Sequence, residues 1–365
     1  MSWLVVTWAV LTTIFTLAAV LRLTRAPPRA TATRVRRRPH VVLLRPCDGP
    51  TALELENFAA PIDYPGELTH VVVSPFRPRL QSANVRWLPS DPLTTNRKVG
   101  HLTYALAVLP REPNTVVLCV DADVRVDGAL VTSLVEALRN GAALASAAPQ
   151  PSVLETFAGR AVRGLLVQSH HSFRVLDVMS VGAKAVCGKA LALGPEAQVE
   201  LAKLGHCIGE DLELAMVMHE RGLAVAMTDV PAHAPQSPTL RTRVAMDRFT
   251  RWMQVLRAHR GLLFPTVPLF FAPTPLLVLG AALVHTPAAA AALLVHVAMR
   301  TTLANVLDRR IGWRFEWVLG EVLLLASWFE ALRIGRTVMW RGRRFSLGLG
   351  GQMVPTGPDA EVQSS

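Results

Sequence analysis

"TVVLCVDADVRVDGALVTSLVEALRNG", Thr115 to Gly141, joins a short apolar run to a longer amphipathic one through three aspartates. The β-branched "TVVLCV" predicts a buried strand. The spacing of apolar residues in "ALVTSLVEALRNG" predicts a helix ending at Gly141 as its cap. A strand that feeds a helix through an acidic turn is the repeating unit of an α/β sheet. In such sheets ligands gather at the carboxyl ends of the strands. Alternate strand positions share a face, so Asp121 and Asp123 aim at one point. Carboxylates this close repel unless a cation lies between them, and Mg²⁺ or Mn²⁺ both suits their oxygens and bridges to phosphates. The plainer reading is a polar strand end, with Asp127-Gly128 as an ordinary turn.

Working outward, "HVVLL" from His40, "LTHVVVS" from Leu68 and "ANVRWL" from Ala83 are further strand-length runs. "LTYALAVL" from Leu102 has helical spacing. Alternating strands and helices predict an α/β domain with a mainly parallel sheet over residues 39–238.

The rest of the chain is apolar in blocks. Mean hydropathy is +0.32, and 51% of the 365 residues are hydrophobic, high for a wholly soluble protein. "WLVVTWAVLTTIFTLAAVL" (Trp3–Leu21) is uncharged and near the roughly 20 residues that cross a bilayer. It predicts a membrane anchor over residues 1–24. Arg22, Arg25, Arg29, Arg34, Arg36, Arg37 and Arg38 follow it, which places the next domain in the cytoplasm by the positive-inside rule. A cleaved signal peptide would carry its charges before the apolar run. Residues 239–260 are an arginine-rich amphipathic stretch suited to the membrane–water interface. Over 261–335, Gly261–Val284 reads as a kinked or broken span, Ala288–Leu307 carries Arg300, and Trp317–Leu332 carries Glu321 and Glu330. That last segment is short and costly as a full span, with arginines on both sides, so it is expected to be re-entrant or interfacial. The basic tail, 336–365, then stays cytoplasmic and ends in a disordered stretch.

The formal net charge of +11 admits either nucleic acid or anionic lipid as a partner. No nucleic-acid-binding pattern occurs and the basic residues flank apolar runs, so lipid is expected and nucleic acid is not. Cys47, Cys119, Cys187 and Cys207 lie far apart without a C-x-x-C pair, against a disulfide framework or zinc site. Arginine and alanine richness suggests a GC-rich bacterial genome.

Two further constellations carry chemistry. In "GEDLELAMVMHERG" (Gly209–Gly222) the apolar spacing puts Glu210 and Asp211 at a helix start. There they could serve the helix dipole alone, or one could face the aspartate pair as a general base. In "RFTRWMQVLR", Arg248, Arg251 and Trp252 share a helical face. Guanidinium groups grip phosphates and an indole offers a flat surface to a sugar, although a basic membrane-surface helix would look the same.

Taken in order, the D-x-D, the E-D and Arg248-Phe249-Thr250-Arg251-Trp252 resemble a processive-type family 2 glycosyltransferase, and more closely the ceramide glucosyltransferase family, family 21. "RPCDG", "LELENFAAPIDYP", "NRKVG", "VGAKAVCGKALAL" and "WRGRRFSLGLGG" resemble other segments of that family, so the likeness covers most of the chain. The resemblance implies a GT-A (Rossmann-like) domain with transmembrane and interfacial helices. It implies inverting transfer of a hexose, glucose above all, from a UDP-sugar to a membrane lipid hydroxyl such as ceramide. Asp123, with Asp121, would hold Mg²⁺ or Mn²⁺ on the diphosphate. Asp211 would be the base, and Arg251 would steady the leaving UDP. Arg45, Lys98 and Arg248 would lie near the nucleotide, and Trp252 would floor the sugar and acceptor site. The protein would be integral to a bacterial inner membrane. A hopanoid-lipid glycosyltransferase, a polysaccharide synthase and a catalytically degenerate scaffold are the competing readings. The family's early aspartate is missing: Ser74 and Pro75 stand in its place, leaving Asp48 as the carboxylate able to compensate.

Overall fold

Strand β1 (His40–Pro46) pairs in parallel with β2 (Leu68–Ser74) on one side and with β4 (Thr115–Val120) on the other. This computed structural model describes residues 2–24, 38–79, 84–110, 114–152, 155–167, 186–308, 315–340 and 342–356. Arg25, Arg29, Arg34, Arg36, Arg37, Arg309, Arg310, Arg314, Arg341, the start of the "VGAKA" segment and the tail's last residues lie outside them.

The central sheet runs β3-β2-β1-β4-β7-β5-β8, where β3 is Val85–Pro89, β5 Leu144–Ser146, β7 Ala190–Leu193 and β8 Val225–Met227. Only β7 runs against its neighbours. The expected mainly parallel sheet is therefore present with one reversed strand, an order compatible with a GT-A-like fold. Helices cover both faces. On one, α3 (Arg97–Val108), α6 (Pro195–Leu201) and α7 (Glu210–Glu220) bury Leu102, Leu201 and Leu214 against Leu44, Val73 and Cys119. On the other, α4 (Gly128–Arg139) packs Leu130, Leu134 and Val135 onto Leu43, Leu118 and Val120. Both faces are dry, which is why these strands are apolar throughout rather than alternating.

Side chains start the helices that face the site. Thr51 and Glu54 form a reciprocal capping box on α2 (Ala52–Ala59). Asp127, third of the aspartates, accepts from the Leu130 N–H and caps α4, so it plays the turn role and leaves the pair Asp121/Asp123 as the cluster. Asn140 closes α4 with Gly141 just beyond at φ +96°.

Outside the sheet, α5 (residues 157–167), α8 (Thr242–His259) and α11 (Glu316–Ile334) share an apolar seam of Val162, Leu165, Phe249 and Leu323. The apolar face of the arginine-rich helix is thus largely taken up by protein. Gly164 of α5 and Gly320 of α11 meet backbone to backbone: a Cβ on Gly320 would lie 2.3 Å from the Leu165 nitrogen. Arg163 of α5 pairs with Glu316 at 2.5 Å. The start of α11 is therefore fastened to α5. Its end leads directly into β10 (Thr337–Trp340), β11 (Arg343–Leu347) and β12 (Met353–Pro355), a small antiparallel sheet.

Among the described residues, two helices are long and apolar enough to cross a membrane, Ser2–Leu21 within α1 (Ser2–Thr24) and Pro287–Leu307 within α10 (Pro287–Asp308). They pack on each other through Ala19 and Leu303. The Gly261–Val284 segment is broken, as its prolines foretell: a π-helix at Val267–Phe271 precedes α9 (Thr274–Val284). With 11 residues, α9 rises about 16 Å, roughly half of a bilayer's hydrocarbon core. Polar side chains join these helices. His296 sits between Thr12 and Thr274 at 3.2 and 3.0 Å. Arg300 pairs with Glu321 at 2.5 Å with both side chains buried, and Glu321 also accepts from the Thr274 N–H.

Candidate active site

At the carboxyl ends of β1, β2 and β4 lies a cleft of about 680 Å³. The strand order reverses direction on either side of β1, and a crevice opens at that point. Asp48, Phe76, Arg97, Lys98, Asp121, Asp123 and Lys189 line it, together with Trp340, Arg343 and Phe345 from the terminal sheet.

Asp121 and Asp123 do reach a common point, and the Lys189 ammonium stands there. Its Nζ is 3.1 Å from Asp121 and 2.6 Å from the nearer oxygen of Asp123. Lys98, at the head of α3, takes the other oxygen of Asp121 at 2.7 Å, and also touches Glu210 at 2.9 Å and the Gly188 carbonyl at 2.9 Å. Burial pushes the Asp121 carboxyl up, but Lys98 and Lys189 outweigh it and hold it below its ordinary value. Burial alone would lower both ammonium groups; the facing carboxylates instead raise them, so both stay charged.

Asp211 sits in the first turn of α7, as its spacing predicts. One carboxylate oxygen accepts from the Gly188 N–H at 2.5 Å. Burial, then the neighbouring Glu210 charge, pushes its pKa up to about 6, against the pull of Lys98. A carboxyl so placed is largely ionised at neutral pH and more basic than an ordinary carboxylate, which suits a proton acceptor. Glu210 itself is buried and held by Lys98 and by the Asn96 amide at 3.1 Å. Asn96 also donates to the Cys207 carbonyl and caps α3, so one side chain joins the start of α3 to the start of α7.

The guanidinium of Arg45 is fully buried and does not line the cleft. It donates to the carbonyls of Asp121, Ala122 and Val124 at 3.1, 3.1 and 2.6 Å and lies 4.9 Å from the Phe58 ring centre. Burial lowers its pKa to about 10, offset in part by Asp123 and Asp121. It fastens the D-x-D turn from beneath. Burial, then the neighbouring Arg248, holds the Arg251 guanidinium below its ordinary value, against the pull of Asp123. Arg248 donates to Gln236 at 3.0 Å. Trp252 is half-buried beside the seam of α5, α8 and α11, edge-on to Phe249 at 5.2 Å, and is not among the residues of the cleft wall.

Asp48 occupies the cleft wall at the end of β1, beside the end of β2, where it accepts from Arg97 at 2.9 Å and contacts His101 at 2.8 Å. Ser74 turns its hydroxyl to the Phe76 carbonyl. A carboxylate is therefore present near the place of the family's early aspartate, on the neighbouring strand.

Lys189 and Asn96 carry no assigned role from the sequence, although both lie in the family-like segments "VGAKAVCGKALAL" and "NRKVG"; Trp340, Arg343 and Phe345 belong to the basic tail, whose arginines the sequence allows to fold back toward the diphosphate. The tail also holds the head of α7. Cys207 bridges to Gln352, the Ile208 N–H donates to Gly351, and the Met353 N–H donates to His206. His259, at the end of α8, contacts the Ile208 carbonyl at 2.7 Å and Glu213 at 3.3 Å. A signal for the tail existed in the glycines of "GLGG", whose left-handed φ values of +64° and +72° at Gly350 and Gly351 mark a tight turn.

Among the described residues no three His, Cys, Asp or Glu side chains converge as a metal centre. Two carboxylates around a stand-in cation do fit Mg²⁺ or Mn²⁺, which commonly take one or two carboxylates and complete their shell with phosphate and water.

No curated protein matches the chain. The family model for glycosyl transferase family 21 matches residues 84–353, from the edge of β3 to the start of β12, a span holding Asp121, Asp123, Lys189, Asp211, Arg251 and the tail residues of the cleft. The chain belongs to glycosyl transferase family 21.

Proposed function

We propose that the protein transfers a hexose, glucose above all, from a UDP-sugar to the hydroxyl of a membrane lipid of the ceramide type, with inversion at the anomeric carbon. The observation that carries this reading is the union of Asp121 and Asp123 with a carboxyl raised to about 6, Asp211, across a single loop. The cleft's cations, Lys98, Lys189, Arg97 and Arg343, suit a diphosphate. Asp123 and Asp121 would hold Mg²⁺ or Mn²⁺, and that ion would supply charge neutralisation on the diphosphate.

The chain's own groups do the rest. Asp211 takes the proton from the acceptor hydroxyl while that oxygen attacks the anomeric carbon. The bond from that carbon to the diphosphate oxygen breaks as the new one forms, and UDP leaves with the electron pair. Arg251, with Arg248 beside it, stabilises the charge that develops on UDP. Arg45 keeps the D-x-D turn in place. Trp252 would floor the sugar and acceptor site, as the family resemblance implies, although its indole packs beside the seam of α5, α8 and α11 rather than on the described cleft wall. The long apolar helices α1 and α10 support a place in a membrane, with the catalytic unit on the cytoplasmic side of a bacterial inner membrane.

UDP release by purified protein offered ceramide, diacylglycerol or a hopanoid lipid tests the reading. Release with ceramide as the best acceptor is expected. Preference for the hopanoid would reassign the acceptor, and no release with any lipid would favour a non-catalytic scaffold, the reading suggested by Ser74 in place of an aspartate.

A further inference from the structure

Lys189 lies opposite the D-x-D turn because β7 runs antiparallel to β4. Val120 faces Ala190, and the Asp121 N–H donates to the Lys189 carbonyl at 2.9 Å. This register carries the lysine's ammonium onto the two carboxylates. Nζ is 2.8 and 2.6 Å from the two oxygens of Asp123, and 3.1 Å from Asp121. Lys98 takes the remaining oxygen of Asp121 at 2.7 Å. All four oxygens of the pair are therefore engaged by ammonium groups.

A divalent ion coordinated at about 2.0–2.1 Å from these oxygens would have to stand where the ammonium stands. Two cations cannot share that point, since like charges at such close range repel strongly in a half-buried site. The protein contributes only two carboxylates, and Mg²⁺ or Mn²⁺ keeps waters or phosphate oxygens for the other positions. An arriving diphosphate changes both sides of the balance. It supplies oxygens to the metal, and it supplies an anion to which the displaced ammonium can turn.

We propose that Lys189 is a tethered counter-ion that keeps Asp121 and Asp123 from taking up a divalent ion alone, so that metal and nucleoside diphosphate bind together. The inference rests on the reading of Asp121 and Asp123 as metal ligands. Lys189 is in this sense a positioning residue, acting through the carboxylates it neutralises. It also spares the free protein an unpaired carboxylate pair at the strand ends.

The test is a Mn²⁺ titration of the full-length protein in detergent, following free Mn²⁺ by electron paramagnetic resonance, with and without UDP. The wild type is expected to bind Mn²⁺ at least tenfold more tightly when UDP is present. Lys189→Met is expected to gain at least tenfold in Mn²⁺ affinity without UDP, and to lose most of the nucleotide's effect. Lys189→Arg, which keeps a cation at the site, is expected to behave as wild type in the nucleotide-free titration. Equal nucleotide-free affinity in wild type and Lys189→Met overturns the proposal while leaving the metal reading intact. Should Lys189→Met fail to fold, a wild type that binds Mn²⁺ equally with and without UDP overturns it on its own. Absence of bound Mn²⁺ in every protein, even with UDP, removes both the proposal and the metal assignment.

Discussion

The Gly188 N–H donates to the Asp211 carboxylate across 2.5 Å, tying the head of α7 to the loop whose next residue bridges the aspartate pair. A side chain at position 188 would crowd this contact, since a Cβ there would lie 3.1 Å from the Asp211 oxygen and 3.3 Å from Lys98 Nζ. Asp211 and the cation cluster are thereby joined through one peptide.

Asp211→Asn is expected to leave UDP binding near wild type and to remove transfer, since a general base contributes about 10²–10⁴-fold. The wild-type rate should rise with pH and level off above about 6, because burial and Glu210 raise the carboxyl to about 6 and only its ionised form accepts a proton. Retention of more than about a tenth of turnover in Asp211→Asn would exceed what loss of a base permits and would sink the assignment.

Asp123→Ala is expected to weaken UDP binding in the presence of Mn²⁺ and to change it little in EDTA. Asp123 and the metal act in series on the diphosphate in this reading. Calorimetry that found an equal loss in both conditions would make Asp123 a direct or structural contact.

Gly351→Ala is expected to loosen the tail. Gly351 has φ +72°, and a Cβ would lie 2.2 Å from His259 Nε2 and 2.3 Å from the Ile208 carbonyl. Backbone strain of this kind costs about 1–3 kcal/mol. The outcome should be a lower melting temperature and a reduced kcat, since Ile208 lies three residues before Asp211. Unchanged kcat in a folded variant would separate the tail from the base.

Arg300→Met is expected to destabilise by about 3–5 kcal/mol, the range for leaving one partner of a buried ion pair uncompensated. Among the described residues, the Thr274 N–H would remain as the partner of the Glu321 carboxylate. Replacing both members, Arg300→Met with Glu321→Gln, should recover part of the loss. Unfolding midpoints in detergent measure this, and a single variant as stable as wild type would mean that the pair contributes nothing.

Arg344→Cys is expected to escape an impermeant thiol reagent in intact cells and to react after permeabilisation. Arg344 is exposed on β11, while Cys47, Cys119, Cys187 and Cys207 are buried and give no background. Both ends of α11 meet the catalytic unit, through Arg163 at its start and the terminal sheet beyond its end. Labelling from outside would contradict the placement of tail and catalytic unit on one side.

Local pattern determined much of this protein. The period of apolar residues laid out β1, β2, β3, β4, α3 and α4, and it put Glu210 and Asp211 at the start of α7, because each such element is specified by neighbours within a few residues. Alternation on β4 likewise put Asp121 and Asp123 on one point. Tertiary structure alone decided what meets them there. Lys189 is 66 residues from Asp123, and it reaches the pair only through the β4–β7 register, which no local periodicity encodes. Arg45 has the charge of a ligand-binding residue, yet its position beneath the turn follows from the pairing of β1 with β4. Trp340, Arg343 and Phe345 join the cleft because α11 returns to the catalytic unit at both ends, an outcome of Gly164 meeting Gly320 and Arg163 meeting Glu316. Such long-range contacts depend on which surfaces fit after the elements have formed, and one sequence shows the elements but not the fit.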